Sequence, residues 1–377
     1  MDPASCLPLE LLHKIFRHYL SDRRFPVASF DHSDGLWVLG QVNSAWRDAT
    51  FSDPSFWSTI TATFSYHDQF MRNMIEGVPT VLFSDRIVQS LAYILCRSGD
   101  IPLSVYLRFY IHNPDDATFP TWRNFFFLLT AQSSRFRSLD ILLPTEIWDY
   151  FSGTRPDPLP WPNEPHDTFD TDWIVPVVSI ESMRRKIHAN YVACTATEMP
   201  QLRHLTAHES FLDSVTASSL KSLKAMEEFS TRTSADIPSL VGFLHRSQCA
   251  LTDLSIKWRG SHDELVIILS GLPMLEALSL RSGFDISFYM RMKLPSSILP
   301  RLRAFSHWVY IPPAFSIAPD ADVAAIIDMV ESRLAGGMLK SVDIETMKQA
   351  INKDLRKRLA SINALPNVKV RIGGIFS

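Results

Sequence analysis

Cysteine is scarce in this chain. Four occur in 377 residues, and Cys6, Cys96, Cys194 and Cys249 lie far apart, with no C-x-x-C pair and no histidine at metal-ligand spacing. That excludes a disulfide-stapled scaffold and a zinc module, and it predicts reduced thiols in an intracellular compartment, cytoplasm or nucleus. An excess of one charge is also lacking. Lys and Arg number 37 against 40 Asp and Glu, a net charge of −3, so the broad basic face used for nucleic acid is not expected. No apolar run approaches the ~20 residues of a membrane span. The opening residues "MDPASC" carry neither a basic region nor an apolar core, so no secretory leader is expected there. G-x-S-x-G, G-x-x-x-x-G-K-[ST] and H-E-x-x-H are all absent, which removes the residues of the nucleophile elbow, the P-loop and the zincins. His13 and His18 are five apart, on different faces of a helix, and read as solvated. Asp167, Asp170 and Asp172 near His166 do not have the spacing of an EF-hand loop. The expectation is a binding protein without metal or cofactor, not an enzyme.

What is present is an ordinary globular balance, 46% hydrophobic and 20% charged residues, in a length that suits two domains or one elongated repeat. The segment "LPLELLHKIF" (7–16) opens the folded part. Pro8 suits a first helical position, and Glu10 falls where the helix dipole favours an anion. Leu9, Leu11, Leu12, Ile15, Phe16, Tyr19 and Leu20 spread over roughly half the circumference, whereas a helix docked on one core needs a stripe of ~100° or a little more. The surplus predicts a helix that serves two surfaces. Further on, Leu36, Leu39, Val42, Trp46 and Ala49 step by three or four. Gly40 and Asn43-Ser44 interrupt that pattern and divide it into two short helices. Ser52, Asp53 and Pro54 end it, and Phe56, Trp57 and Ile60 close it with apolar anchors.

Beyond residue 60, helix and strand signals alternate. Ile87, Val88, Leu91, Ile94 and Leu95 have helical spacing and stop at Gly99. Residues 103–109 alternate as a strand, 122–132 read as a buried helix and 137–143 as the next strand. From residue 200 the pattern L-x-x-L-x-L recurs. It begins at Leu202, Met226, Leu251 and Leu275, then at Leu302 and Leu339, and Phe136 starts an earlier copy. The first four copies fall within the 20–29-residue period of leucine-rich repeats. Helix signals separate them: Asp236 before Pro238, the Ser261-x-x-Glu264 capping box, and Asp320 before Val323, Ile326, Ile327 and Val330, with Gly336 as the stop. The basic run "KDLRKRL" (353–359) reads as the wet face of a helix burying Ile351, Leu355, Leu359 and Ile362. Residues 152–176 hold six prolines and two tryptophans and read as a long surface loop, a variable insertion or a partner-binding loop with Trp161, Phe169 and Trp173 as anchors.

The ordered set Leu7-Pro8-x-Glu10-Leu11, Ile15-Phe16, Leu39-x-x-Val42-x-x-x-Trp46-Arg47 and Pro54-x-Phe56-Trp57 resembles an F-box. It covers residues 7–60, and the stretch 21–35 is longer than in most F-boxes. With the irregular repeats it is similar to the large fungal families of F-box proteins. The expected fold is therefore α+β: a small all-α three-helix F-box module (1–60), then an α/β leucine-rich-repeat solenoid (61–377) carrying the Pro-rich loop 152–176. The resemblance implies docking on the Skp-type adaptor of a cullin–RING (SCF-type) ubiquitin ligase. The repeats would hold a protein substrate for ubiquitin-dependent degradation, with no nucleic acid and no membrane as partner. It implies Leu7, Pro8, Leu11, Ile15, Phe16, Val42, Trp46 and Trp57 as adaptor-binding residues, the last three as core, contact or both. The rival expectation is a leucine-rich-repeat scaffold outside any ligase, whose N-terminal helices only cap the solenoid.

Overall fold

The structure is a computed structural model and describes residues 7–21, 30, 35–65, 80–81, 85–110, 119–142, 197–226, 237–258, 261–281, 286–294, 298–309, 320–346, 352–366 and 368–372. The Pro-rich loop 152–176, with Trp161, Trp173 and the aspartates near His166, lies outside them. The chain forms two compact units, one of residues 1–202 with 210–217, the other of 203–209 with 218–377. Both mix helix with parallel sheet.

The first unit begins with three helices, α1 (Leu9–Ser21), α2 (Gly35–Val42) and α3 (Ser44–Ser52), and a 3-10 turn, Pro54–Trp57. Asn43 divides α2 from α3 by a local mechanism. Its backbone is extended, and its side-chain oxygen accepts the Trp46 amide at 2.9 Å, capping the new helix. The expected pair of short helices is thus observed. Strand β1 (Thr59–Ser65) follows directly, so residue 60 lies inside a strand. It pairs in parallel with β2 (Thr80–Val81) on one side and β3 (Leu103–Tyr110) on the other, and β3 pairs with β4 (Phe136–Leu142). Helices α4 (Asp85–Arg97) and α5 (Phe119–Thr130) supply the covering layer. Ile60, Phe64, Val105, Leu107, Leu139 and Ile141 are buried with Leu91, Leu95, Phe125 and Leu129. A short pair, β5 (Thr197–Glu198) with β7 (Val215–Thr216), completes this unit.

The second unit is a parallel sheet in the order β6 (His204–His208), β8 (Ser222–Met226), β9 (Asp253–Lys257), β10 (Ala277–Arg281), β11 (Ala304–Val309), β12 (Ser341–Thr346), β13 (Val368–Ile372). Helices α6 (Ile237–Ser247), α7 (His262–Ser270), α8 (Ile286–Met292), α9 (Asp320–Ala335) and α10 (Lys353–Asn363) lie between strands in the chain. The Ser261–Glu264 capping box starts α7 as expected. Of the repeat that sequence places at Met226-x-x-Phe229-x-Thr231, Phe229 and Thr231 lie outside the described residues; the strand between β6 and β9 is β8, and its buried triplet is Leu220, Leu223 and Ala225. This copy follows Leu202 by 18 residues, sooner than the period predicts. The copies at Leu202, Leu251, Leu275, Leu302 and Leu339 do bury their three positions, His307 included. That histidine is accommodated because the Tyr289 hydroxyl is hydrogen-bonded to its Nδ1 at 3.0 Å.

Two backbone devices recur across these strands. At the entries of β8 to β12, two successive amides donate to the carbonyl of the residue just before the preceding strand: Lys221 and Ser222 to Arg203, Thr252 and Asp253 to Lys221, Glu276 and Ala277 to Thr252, and likewise onward to Lys340 and Ser341 on Arg303. Before several strands a proline turn sets the entry. In Met199-Pro200-Gln201-Leu202, Leu272-Pro273-Met274-Leu275, Leu299-Pro300-Arg301-Leu302 and Leu365-Pro366-Asn367-Val368 the last amide donates to the carbonyl three residues back. Proline fixes φ at the second position of such a turn. One buried cation also shapes this unit. Arg333 of α9 is fully buried and donates from Nε to the Met292 carbonyl (2.7 Å), from Nη1 to Leu299 (3.1 Å) and from Nη2 to Ile298 (2.8 Å). Desolvation lowers its pKa from the usual guanidinium value.

Candidate functional site

Helix α1 divides its apolar residues between two neighbouring stripes. Leu12, Phe16 and Leu20 recur at every fourth residue and are buried. Leu11, Ile15 and Tyr19 recur in the same way, about 100° around the helix. They remain exposed, Leu11 by 47% and Ile15 by 45%. Leu7 and Leu9, at the start of the helix, are exposed too. Leu20 belongs to the core, although the helical wheel assigns it to a flank with Leu9.

The inner stripe is held by α3 and the 3-10 turn. The Phe16 ring meets Trp46 edge-on at 5.1 Å and Phe56 at 6.3 Å. His13, expected in solvent, is half-buried: its ring packs edge-on against Phe56 at 5.6 Å, and Nε2–H donates to the Ala49 carbonyl at 2.9 Å. One helical turn on, Arg17 donates to the Asp53 carboxylate at 2.6 Å. Asp53 also accepts the Ser55 amide (3.0 Å) and the Ser55 hydroxyl (2.6 Å), capping the 3-10 turn. Partial burial alone would raise the Asp53 pKa, but the hydrogen bonds from Ser55 and Arg17 outweigh it and hold the carboxyl below its ordinary value. A carboxyl lowered in the folded state stabilises above the ordinary carboxylate range and loses that contribution as pH falls through it. Melting temperatures taken between pH 5 and pH 3 should therefore fall more steeply for the parent than for Asp53→Asn, with the difference opening below about pH 4. Parallel falls in both would contradict the assignment.

The eight residues proposed from sequence separate by burial. Leu7, Pro8, Leu11 and Ile15 are exposed on or beside α1, and Val42 is exposed at the end of α2, one turn from the exposed Val38. Phe16 and Trp57 have no exposed surface. Trp46 is half-buried against Phe16, and its indole N–H has no acceptor among the described residues. Phe16, Trp46 and Phe56 are brought together in the core. Trp57 is tied to the same helix by its Nε1–H, which donates to the Thr50 carbonyl at 3.0 Å. His13, Arg17 and Asp53 are the positioning residues that sequence reading missed. Their signal was the i, i+4 pair on α1, with an aspartate before Pro54.

Trp57 also faces away from α1. Its ring lies 5.3 Å from Trp37 and 5.6 Å from Tyr93 of α4, and Tyr93 is 5.5 Å from Trp37 and 6.2 Å from Phe51. The Arg97 guanidinium stacks over Phe51 at 4.8 Å. Among the described residues no cluster of His, Cys, Asp or Glu is placed to hold a metal, and no helix is long and apolar enough to cross a membrane. Residues 4–63 match the F-box-like domain family. No curated protein and no solved structure matches the chain.

Proposed function

We propose that this chain is the substrate-recognition subunit of a cullin–RING (SCF-type) ubiquitin ligase. F-box domains generally bind Skp-type adaptors. The observation that carries the reading is the Leu11–Ile15–Tyr19 stripe, left exposed on a helix whose other face is fully packed, within the residues that match the F-box-like family. Residues 7–20 and Val42 dock on the adaptor. The second unit, read as irregular leucine-rich repeats on its recurring strand entries and proline turns, holds the protein substrate. The chain itself makes and breaks no bonds. It raises the local concentration of substrate lysines near the conjugating enzyme supplied by other subunits, inside the cell and towards degradation.

A scaffold outside any ligase is the second reading, favoured by the ring contacts of Trp37, Phe51 and Trp57 with Tyr93, which make the N-terminal helices a cap for α4. Caps present a polar outer face. The exposed leucine and isoleucine of α1 are what that reading leaves without a role.

Leu11→Asp with Ile15→Asp is the test. Truncating a buried aliphatic side chain at a packed interface costs about 2–5 kcal/mol if it behaves as in a core. That is ~30-fold or more in affinity. The double variant should lose co-purification with the adaptor while keeping the far-UV spectrum of the parent. Adaptor recovered at the parent's yield would sink the docking assignment.

A further inference from the structure

Charge is unevenly spread along this chain. Residues 347–377 hold seven Lys and Arg against one Asp, a net of +6 within a chain whose net charge is −3, so residues 1–346 carry −9. Helix α10 carries four of the seven cations. Leu355, Leu359 and Ile362 are buried and hold it on the second unit. Arg358 is neutralised: its guanidinium donates to Asp328 and to Glu331 of α9, at 2.6 Å each. Asp328 also meets Lys293 at 3.5 Å. Lys353, Arg356 and Lys357 lie on the exposed side and have no ion-pair partner among the described residues.

Their placement works against the helix. Lys353 is three residues from Arg356 and four from Lys357, so the cations are surface neighbours, and like charges at these spacings repel. All three fall in the first two turns, where the helix dipole favours anions. Elsewhere the chain follows that rule, with Glu10 in the first turn of α1 and Asp263 and Glu264 in that of α7. On α10 only Asp354 does so, about 100° around the helix from Lys353. Local conflicts with folding of this kind concentrate where a surface is used. The second half of the same face is small and apolar. Ala360 and Ala364, seven and eleven residues after Lys353, are exposed on its side of the helix. Leu365, just past the helix end, is 45% exposed. From Arg356 to Leu365 is about 14 Å along the helix, which an extended peptide covers in about four residues.

We propose that this face of α10 binds a carboxylate-rich segment of a protein partner, its acidic side chains on Lys353, Arg356 and Lys357 and one apolar side chain across the two alanines against Leu365. The face belongs to the second unit and the adaptor stripe to the first, so the proposal holds whether or not an adaptor binds α1. Charge complementarity names the occupant. Three unneutralised cations stand beside one exposed aspartate, and Asp328 and Glu331 of α9 are already engaged by Arg358. A nucleic-acid strand or an anionic bilayer extends well past a patch of this length. Nucleic acid takes its affinity from many phosphate contacts along a continuous basic track, and the chain before residue 347 is net negative.

The experiment uses the full chain and a fluorescein-labelled peptide of three glutamates, three glycines and a leucine, read by anisotropy at low salt, where exposed charges are least screened. The same peptide with glutamine for glutamate is the reference. The glutamate peptide should bind and the glutamine peptide should not. Lys353→Glu with Lys357→Glu should weaken binding about tenfold or more. Lys353→Gln with Lys357→Gln should fall between that variant and the parent. Glutamate and glutamine match lysine in helix propensity, so both variants should keep the parent's far-UV spectrum and melting temperature. Leu365→Ser should weaken binding about threefold through lost apolar contact. Arg203→Glu with Lys221→Glu makes the same change of net charge at exposed positions just before β6 and β8 and should leave binding unchanged.

Equal affinity for the two peptides, or binding of neither, would overturn the proposal. So would an equal loss in the Arg203 and Lys221 variant, which would reduce the effect to net charge. A single-stranded oligonucleotide or a phosphatidylserine vesicle that binds more tightly than the peptide, and is lost in the Lys353 and Lys357 variants, would overturn it in favour of that polyanion. Adaptor co-purification is scored separately. Lost peptide binding with the adaptor retained removes only the acidic partner, whereas peptide binding retained without an adaptor removes only the ligase reading.

Discussion

Trp57→Ala should destabilise the first unit by about 3–5 kcal/mol, the cost of deleting a large buried aromatic side chain, although Trp57 offers no atom to a partner. Two losses combine. The ring leaves a void between Trp37, Phe51 and Tyr93, and the Thr50 carbonyl loses the indole N–H. Trp57→Phe separates the two: it keeps most of the packing and gives up the hydrogen bond, for a cost of about 1 kcal/mol. Chemical denaturation of the chain without any partner measures both. The stripe variants Leu11→Asp and Ile15→Asp should remain within ~0.5 kcal/mol of the parent in the same assay, as surface changes do. This contrast separates residues that build the N-terminal helices into the fold from residues that would touch the adaptor. If Trp57→Ala unfolds at the parent's denaturant midpoint, the ring does not hold the module together and its role must be sought at a surface.

The second large effect is expected in the other unit. Arg333→Met removes the donor to three backbone carbonyls, those of Met292, Ile298 and Leu299. Methionine also relieves the cost of keeping a guanidinium out of water, so the two effects oppose each other. Each buried acceptor left without a donor costs about 1–3 kcal/mol, and three of them outweigh the relief. The net loss is about 3 kcal/mol or more. At ~2–4 °C per kcal/mol for a domain of this size, that is a fall of about 6 °C or more in melting temperature. Arg333→Lys should recover only part of it, because an ammonium on a single stem does not reproduce the fork that reaches three carbonyls. An Arg333→Met protein melting at or above the parent would show that desolvating the guanidinium costs more than its three hydrogen bonds return.

Much of this architecture was legible because it is written locally. The Asn43 cap, the Ser261–Glu264 box and the fourfold spacing on α1 are short-range signals, and the structure realises each. The leucine triplets were legible because every copy buries the same positions. The copy at Leu220 is hard to place from sequence because it follows Leu202 by only 18 residues, short of the 20–29-residue period. The proline turns escaped notice because their copies are separated by strands and helices of unequal length. Arg333 had no sequence signal at all: its partners are backbone carbonyls 34–41 residues away, and backbone leaves no trace in residue type. At the candidate site, the exposed stripe was foreseen as surplus apolar circumference. The resemblance names Leu11 and Ile15 on the contact side together with Phe16, and that Phe16 is the one buried depends on where Phe56 and Trp46 sit.

The rings shared between the N-terminal helices and Tyr93 set how anything bound to α1 would be carried. Trp37, Phe51 and Trp57 close on Tyr93 from three sides, and the Ser104 amide of β3 donates to the Ser58 carbonyl just after the turn. Helix α1 packs on α3 and the 3-10 turn, and that turn runs directly into β1. An attached partner would therefore be mounted on the first sheet without a swivel, and the direction in which that sheet points would be decided when the chain folds. Reach towards a third molecule would have to come from elsewhere, and a longer or softer joint could not be introduced near residue 60 without opening this aromatic core.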